Sequence, residues 1–234
     1  MKNALITAAT KGIGRAITIA LVKEGINVAV CSRGEKDLAD LKAELTIINP
    51  NIKIFTAATD VSVKAEILKF AADAEKELGA ISIIVNNAGI YEPYSILDDG
   101  EDTFQKSIST NVAPAYELYR YFGKKMIATG GGHIFNICSI AALTPVVEAG
   151  TYSVTKFALL GLTKVMRLEL QAHNVKVTAV IPGSTLTSSW DGVKVDKNVM
   201  VMPEDIASAV VNIYNMSPGA NVDEIVIKPV NGQV

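Results

Sequence analysis

The feature that most constrains this chain of 234 residues is the spacing of its short apolar runs. Residues 4–7, 28–31, 52–56, 81–85, 133–138, 175–181 and 224–227 each read as a strand. Between the first of them, apolar residues recur at helical spacing: Ile13, Ala16, Ile17 and Leu21, then Leu38, Leu41 and Leu45, then Ile67, Phe70, Ala74 and Leu78. Runs that are apolar throughout, not at every second position, belong to a parallel sheet covered on both faces. The expectation is an α/β, doubly wound fold with seven parallel strands and helices on both sides. Gly25, Asn49-Pro50 and Gly79 close the first three helices. A long helix over 104–126 should break near Asn111-Val112-Ala113-Pro114, because Pro disfavours the helical state of its predecessor. Pro203 suits the first turn of a last helix. No linker, repeat or low-complexity segment divides the chain, so 1–234 is read as one domain.

Composition excludes several classes of function. With 49% hydrophobic residues and a net charge of −2, there is ample core and nothing to attract a nucleic acid. Cys31 and Cys138 lie singly in apolar runs without C-x-x-C spacing, as buried reduced thiols of an intracellular protein do. The N-terminus enters a strand at once, with no signal-peptide pattern, and no apolar run approaches the ~18 residues of a membrane helix. A cytoplasmic protein without a membrane partner is expected. His133 and His173 have no metal-like neighbours, so no metal site is expected. Ser139 has no partner His at a recognisable spacing and is a poor hydrolase nucleophile.

In a doubly wound sheet, ligands bind at the carboxyl ends of the strands. The unusual residue clusters fall there: Thr7 to Gly14 after strand one, Ser32-Arg33 after strand two, and Asp60-Val61 after strand three. Asn86-Asn87-Ala88-Gly89 follows strand four, Ser139 strand five, and Pro182-Gly183 strand six. Together they imply a dinucleotide, since Gly12 and Gly14 let backbone approach a pyrophosphate at a helix N-terminus. Where NAD binders carry an acidic residue for the ribose 2′-hydroxyl, this chain has Arg33, with Lys11 nearby. Two cations and no carboxylate suit the 2′-phosphate of NADP. Tyr152 and Lys156 share one helix face at i and i+4. A free phenol is a poor base near neutral pH, and a neighbouring cation favours its phenolate. With Ser139 facing the same crevice, the pair could exchange a proton with an alcohol or carbonyl oxygen.

Taken jointly, these motifs resemble the short-chain dehydrogenase/reductase family over essentially the whole chain. Its T-G-x-x-x-G-x-G is matched by Thr7-Ala8-Ala9-Thr10-Lys11-Gly12-Ile13-Gly14, and its N-N-A-G by Asn86 to Gly89. Asn111, Ser139, Y-x-x-x-K at Tyr152 and Lys156, and Pro182-Gly183 with Thr187 complete the pattern. The resemblance implies a Rossmann sheet with strand order 3-2-1-4-5-6-7. It implies Tyr152 as general acid in reduction, Lys156 favouring its phenolate and bonding the nicotinamide ribose, and Ser139 holding the substrate oxygen. Asn111 would position a water in a proton relay. Asp60 and Val61 would border adenine, and Asn87, Ala88 and Gly89 would line the cofactor. Thr185 and Thr187 would contact nicotinamide or pyrophosphate.

There are three departures. Ala8 replaces the family's first Gly, and Ala does not easily adopt positive φ. Pro114 replaces a frequent Gly after Asn111 and Cys138 a frequent Ser before Ser139, and neither touches the expected chemistry directly. The segment 184–202 is expected to form a substrate lid with Trp190, Val193 and Val195 as apolar contacts. Surplus apolar residues on the helices after Asn111 and after Tyr152, including Tyr116, Tyr119, Tyr121 and Phe122, imply a homodimer or homotetramer. The expected activity is NADP(H)-dependent hydride transfer with a small-molecule carbonyl or secondary alcohol. The chain is also similar to 3-oxoacyl-(acyl-carrier-protein) reductases, whose acidic carrier Lys124 and Lys125 could meet. A dehydratase or epimerase, and a non-catalytic NADP-binding sensor, remain as alternatives.

Overall fold

The computed structural model describes residues 2–190, 192 and 195–232. Seven strands form one parallel sheet: β1 (Asn3–Ile6), β2 (Asn27–Ser32), β3 (Ile54–Ala58), β4 (Ile83–Asn86), β5 (Gly132–Ile137), β6 (Val175–Pro182) and β7 (Glu224–Ile227). Their order is β3-β2-β1-β4-β5-β6-β7, as the family resemblance implied. The helices are α1 (Gly12–Lys23), α2 (Glu35–Ile48), α3 (Lys64–Leu78), α4 (Thr103–Asn111), α5 (Ala113–Ala128), α6 (Gly150–Leu170) and α7 (Pro203–Tyr214).

Successive strand residues point to opposite faces, and both faces are dry. Leu5, Ala29 and Ile84 pack with Phe70, Leu118, Phe122 and Met166 of α3, α5 and α6. Their neighbours Ile6, Val30 and Val85 pack with Ile17, Leu21, Leu45 and Val210 of α1, α2 and α7. That double coverage is why the strands carry no polar alternation.

β3 and β4 begin two residues later than the apolar runs suggested. Ile81 is buried in the core on one face and Ile52 packs against the core on the other, but neither pairs in a ladder. Their apolar character reflects packing alone. The long helix breaks as expected, at Val112 (φ −123°, ψ −51°), with Pro114 in the first turn of α5. The aromatic surplus on α5 is smaller than its sequence implied. Phe122 is a core residue and Tyr119 and Tyr121 pack partly against the core, while Tyr116 is exposed. On α6, Val154, Phe157, Val165 and Leu168 are exposed.

Both cysteines are free and buried, and burial pushes the Cys31 and Cys138 thiols up to about 12 and about 11. His133 is buried at the opposite end of β5 from Ser139, and burial lowers it to about 3. Thr178 gives its hydroxyl proton to the Val222 carbonyl at 2.7 Å, so His133 Nε2 is the donor in their 2.9 Å bond. Among the described helices, none is long and apolar enough to cross a membrane.

Candidate active site

The carboxyl ends of β1, β4, β5 and β6 converge, and side-chain bonds tie their loops together. Thr7, at the end of β1, is buried. Its Oγ1 accepts the N–H groups of Asn87 (3.0 Å) and Ala88 (3.1 Å) beyond β4. Asn87 answers by donating through Nδ2 to the carbonyls of Thr7 (3.1 Å) and Ala8 (3.0 Å). Asn87 was expected to line a cofactor. Both of its amide protons are used to lock the glycine loop to the loop after β4.

That lock explains Gly14. A Cβ there would lie 2.4 Å from Asn87 Nδ2 and 2.5 Å from the Ala8 carbonyl oxygen, so no other residue fits. Gly12 has φ +53°, and a Cβ on it would meet the Thr187 methyl at 3.1 Å. Between them, Ile13 packs partly into the core, while Thr10 is half-buried and Lys11 exposed. Helix α1 starts at this loop with no side-chain cap and no acidic residue in its first turn. Its first N–H groups are therefore not capped by a side chain, the arrangement that receives an anion.

Ala8 corrects an expectation. It takes the left-handed conformation that glycine would take, with φ +53°. Asn87 holds its carbonyl, and the Ala9 N–H beside it donates to the Cys31 carbonyl at 3.0 Å. The surroundings thus impose a backbone state that costs an L-residue roughly 1–2 kcal/mol.

At the end of β2, Ser32 Oγ lies 3.4 Å from the Gly34 carbonyl, and Arg33 is exposed. The region was read as free of carboxylates, and here the structure differs. Lys11 Nζ is 3.4 Å from Asp37 on α2, whose side chain stands over Gly34. Asp60 sits opposite Arg33 beyond β3. The Ser62 hydroxyl and N–H hold its carboxyl below the ordinary value, with a smaller contribution from the Arg33 guanidinium. Val61 packs partly against the core.

The second half of the site is built on α6. Lys156 is only 4% exposed, and its Nζ donates to the Ile137 carbonyl at the end of β5 at 3.0 Å. Among the described residues no carboxylate pairs with it within 4.0 Å. The same Nζ lies 5.5 Å from the centre of the Tyr152 ring. Ser139 stands two residues past Ile137 and opens a short 3-10 turn, Ile140–Ala142, that packs against α6. Its Oγ accepts the Ala141 N–H at 3.2 Å, which leaves its own proton to donate.

Asn111 bonds the backbone of Ile90 twice, accepting its N–H at 2.8 Å and donating to its carbonyl at 3.1 Å. Its remaining amide proton goes to Thr155 Oγ1 at 2.9 Å. Gly89 lies between: a Cβ on it would be 3.5 Å from Lys156 Nζ and 3.6 Å from Asn111 Oδ1. Asn111 thereby ties the loop after β4 to the helix that carries Tyr152.

Beyond β6, the Gly183 N–H donates to Ile227 after Pro182, and Thr185 Oγ1 donates to Gly183 at 2.8 Å. The ends of the stretch between Ser184 and Val201 are joined by Leu186 N–H to the Val201 carbonyl (2.8 Å) and Val201 N–H to the Ser184 carbonyl (3.1 Å). Trp190 and Val195 line a cleft of about 470 Å³ with Gly12, Arg15, Thr187 and Glu204, over the start of α1. Val193 lies outside the described residues. Sequence reasoning missed Arg15, which bonds both oxygens of Glu44 at 2.6 Å, and Asp37. Both sit on helix faces where a charge ordinarily means solvent.

The short chain dehydrogenase model matches residues 2–198, and this chain belongs to that family of oxidoreductases. A sepiapterin reductase of Chlorobaculum tepidum is 32% identical over 98% of this chain and 97% of its own length. The alcohol dehydrogenase of Thermococcus sibiricus, solved with 5-hydroxy-NADP, superposes with a TM-score of 0.92 at 24% identity, covering 100% and 99% of the two chains. L-sorbose reductase of Gluconobacter frateurii, solved with NADPH and L-sorbose, gives 0.89 at 25% identity over 97% and 94%.

The strained Ala8 yields a prediction. Ala8→Gly relieves roughly 1–2 kcal/mol of strain and loses about 0.4–1 kcal/mol to the freer unfolded chain. Urea unfolding should show a net gain of about 0.5–1 kcal/mol. A loss of stability would mean that the alanine methyl makes packing contacts worth more than the strain.

Proposed function

We propose that this protein is an NADP(H)-dependent oxidoreductase that interconverts a carbonyl compound and a secondary alcohol, with Tyr152 moving the proton. The observation that carries the reading is the Lys156 ammonium, buried beside the Tyr152 ring with no carboxylate pairing with it among the described residues. A buried cation favours negative charge on a neighbouring oxygen, which is what a phenol needs in order to give up and regain a proton.

The residues present fit a dinucleotide: α1 begins at bare glycines without a side-chain cap. Bound there, the nicotinamide supplies or accepts the hydride. Tyr152 protonates the carbonyl oxygen in reduction and removes the alcohol proton in oxidation. Ser139 donates its free hydroxyl proton to the same oxygen and orients it. Asn111 holds the loop after β4, and its Oδ1 has one lone pair left for a water on the way to Lys156.

Arg33 and Lys11 favour a 2′-phosphate. Lys11 and Asp37 are both largely exposed, and such a pair contributes little, so a phosphate can displace Asp37. The NADP-type ligands of the two similar structures point the same way. The similar proteins, two reductases and an alcohol dehydrogenase, agree with carbonyl–alcohol chemistry. An acyl-carrier substrate is less well supported, because Lys125 is committed to Glu75 and lies over the Tyr121 ring. Intact Ser139, Tyr152 and Lys156 argue against a sensor without turnover.

We also read the chain as a homo-oligomer. Phe157 and Val154 on α6 join Ile96, Leu97 and Val147 around an apolar groove of about 470 Å³. Light scattering at micromolar concentration should give a dimer or tetramer, and a monomer would contradict this.

The catalytic reading is tested with Tyr152→Phe, which removes only the hydroxyl. The turnover of a ketone panel should fall about 10²–10⁴-fold. NADPH should bind the variant as it binds the wild type, and more tightly than NADH. Wild-type turnover by Tyr152→Phe, with chemistry rate-limiting, would remove Tyr152 from the proton transfer.

A further inference from the structure

Tyr91 lies two residues beyond Gly89, in a segment whose sequence reads only as a polar loop. Its ring centre is 5.0 Å from that of Tyr152, with the planes at 76°. This edge-to-face arrangement is a favourable one for aromatic pairs.

The segment is anchored to the first turn of α6 at three points. The Tyr94 carbonyl accepts the Gly150 N–H at 3.1 Å. The buried Thr151 hydroxyl donates to the Asp99 carboxylate. Ile96 packs onto Gly150 so closely that a Cβ there would fall 2.7 Å from its side chain. All three lie within two residues of Tyr152, so the Tyr91 ring is positioned by the same helical turn that positions the phenol. A side chain held by such contacts is pre-organised.

Tyr91 is nevertheless 49% exposed. Part of its ring therefore stays open beside the hydroxyl that must meet the substrate oxygen. Burial, followed by the charges of Tyr152 and Glu148, raises its own hydroxyl above the ordinary phenol value, so the ring stays neutral around neutral pH.

We propose that Tyr91 is a specificity-determining residue, an aromatic wall that selects carbonyl substrates carrying a planar aromatic or conjugated group next to the carbonyl. The inference rests on the carbonyl-reduction reading and names its substrate class. A planar ring can stack offset or edge-on against Tyr91, whereas a saturated ring of equal size gains only contact area. Aromatic pairing beyond area corresponds to roughly two- to tenfold in a binding ratio.

The experiment compares acetophenone with cyclohexyl methyl ketone, which share carbon number but differ in planarity. The kcat/KM ratio of aryl to cyclohexyl ketone is measured for wild type, Tyr91→Phe and Tyr91→Leu. Tyr91→Leu should lower that ratio about two- to tenfold, and Tyr91→Phe should keep it. Calorimetry of 1-phenylethanol and 1-cyclohexylethanol binding to the NADPH-loaded protein should show the same discrimination without turnover. A ratio unchanged in Tyr91→Leu, with both ketones slowed equally, would reduce Tyr91 to a buttress of Tyr152 and overturn the inference while reduction stands. If neither ketone turns over, the reduction reading fails for small ketones. The calorimetric ratio then decides: equal affinities for the two alcohols in the wild type overturn the inference.

Discussion

Lys156 carries its ammonium into the protein interior, where a charge is costly unless it is paired or well bonded. Among the described residues its hydrogen bond is to the Ile137 carbonyl, at the end of β5 and two residues before Ser139. The sheet that delivers this carbonyl needs both faces dry, and α6 closes one of them through Leu159 and Met166. The same helix presents Tyr152 one turn earlier. Fold and site are therefore coupled through one side chain, because the contact that docks α6 on β5 also puts a positive charge under the phenol.

Around that contact the loops are stitched by side chains that hold other loops. Thr7 and Asn87 join the ends of β1 and β4. Asn111 joins the loop after β4 to α6 through Ile90 and Thr155. It can do so because α4 ends at Asn111 and the chain turns at Val112 before α5 begins at Ala113, with Pro114 in its first turn. The break that looks like a defect in one long helix lets a buried amide face sideways into the site.

Much of this was legible in the sequence, for physical reasons that differ from place to place. Doubly covered strands leave unbroken apolar runs, so the parallel sheet could be read in advance, while its strand order came from the family resemblance. Glycines at positions 12 and 14 announce close backbone approach, and a residue as crowded as Gly14 admits nothing else. Less visible was anything that depends on what stands opposite in space. The positive φ of Ala8 is imposed by its neighbours and contradicts the propensity of alanine. Asp37 is a helix-surface carboxylate until the fold brings it to Lys11. Phe122 reads as surplus on an amphipathic helix until the sheet is seen to need it. Tyr91 sits in a polar stretch whose spacing gives no sign of the ring it meets.

The central claim is that Lys156 is kept for its charge beside Tyr152 and at a cost to the fold. Lys156→Met keeps the length of the side chain and removes the charge. Its most direct test measures unfolding free energy and single-turnover reduction on the same preparation. The account predicts a protein as stable as the wild type or more so, by about 1–2 kcal/mol, because a costly buried charge is removed. Its reduction rate should nevertheless fall by orders of magnitude. A destabilised variant that still reduces substrate at the wild-type rate would show that Lys156 serves packing and that the proton transfer does not depend on its charge.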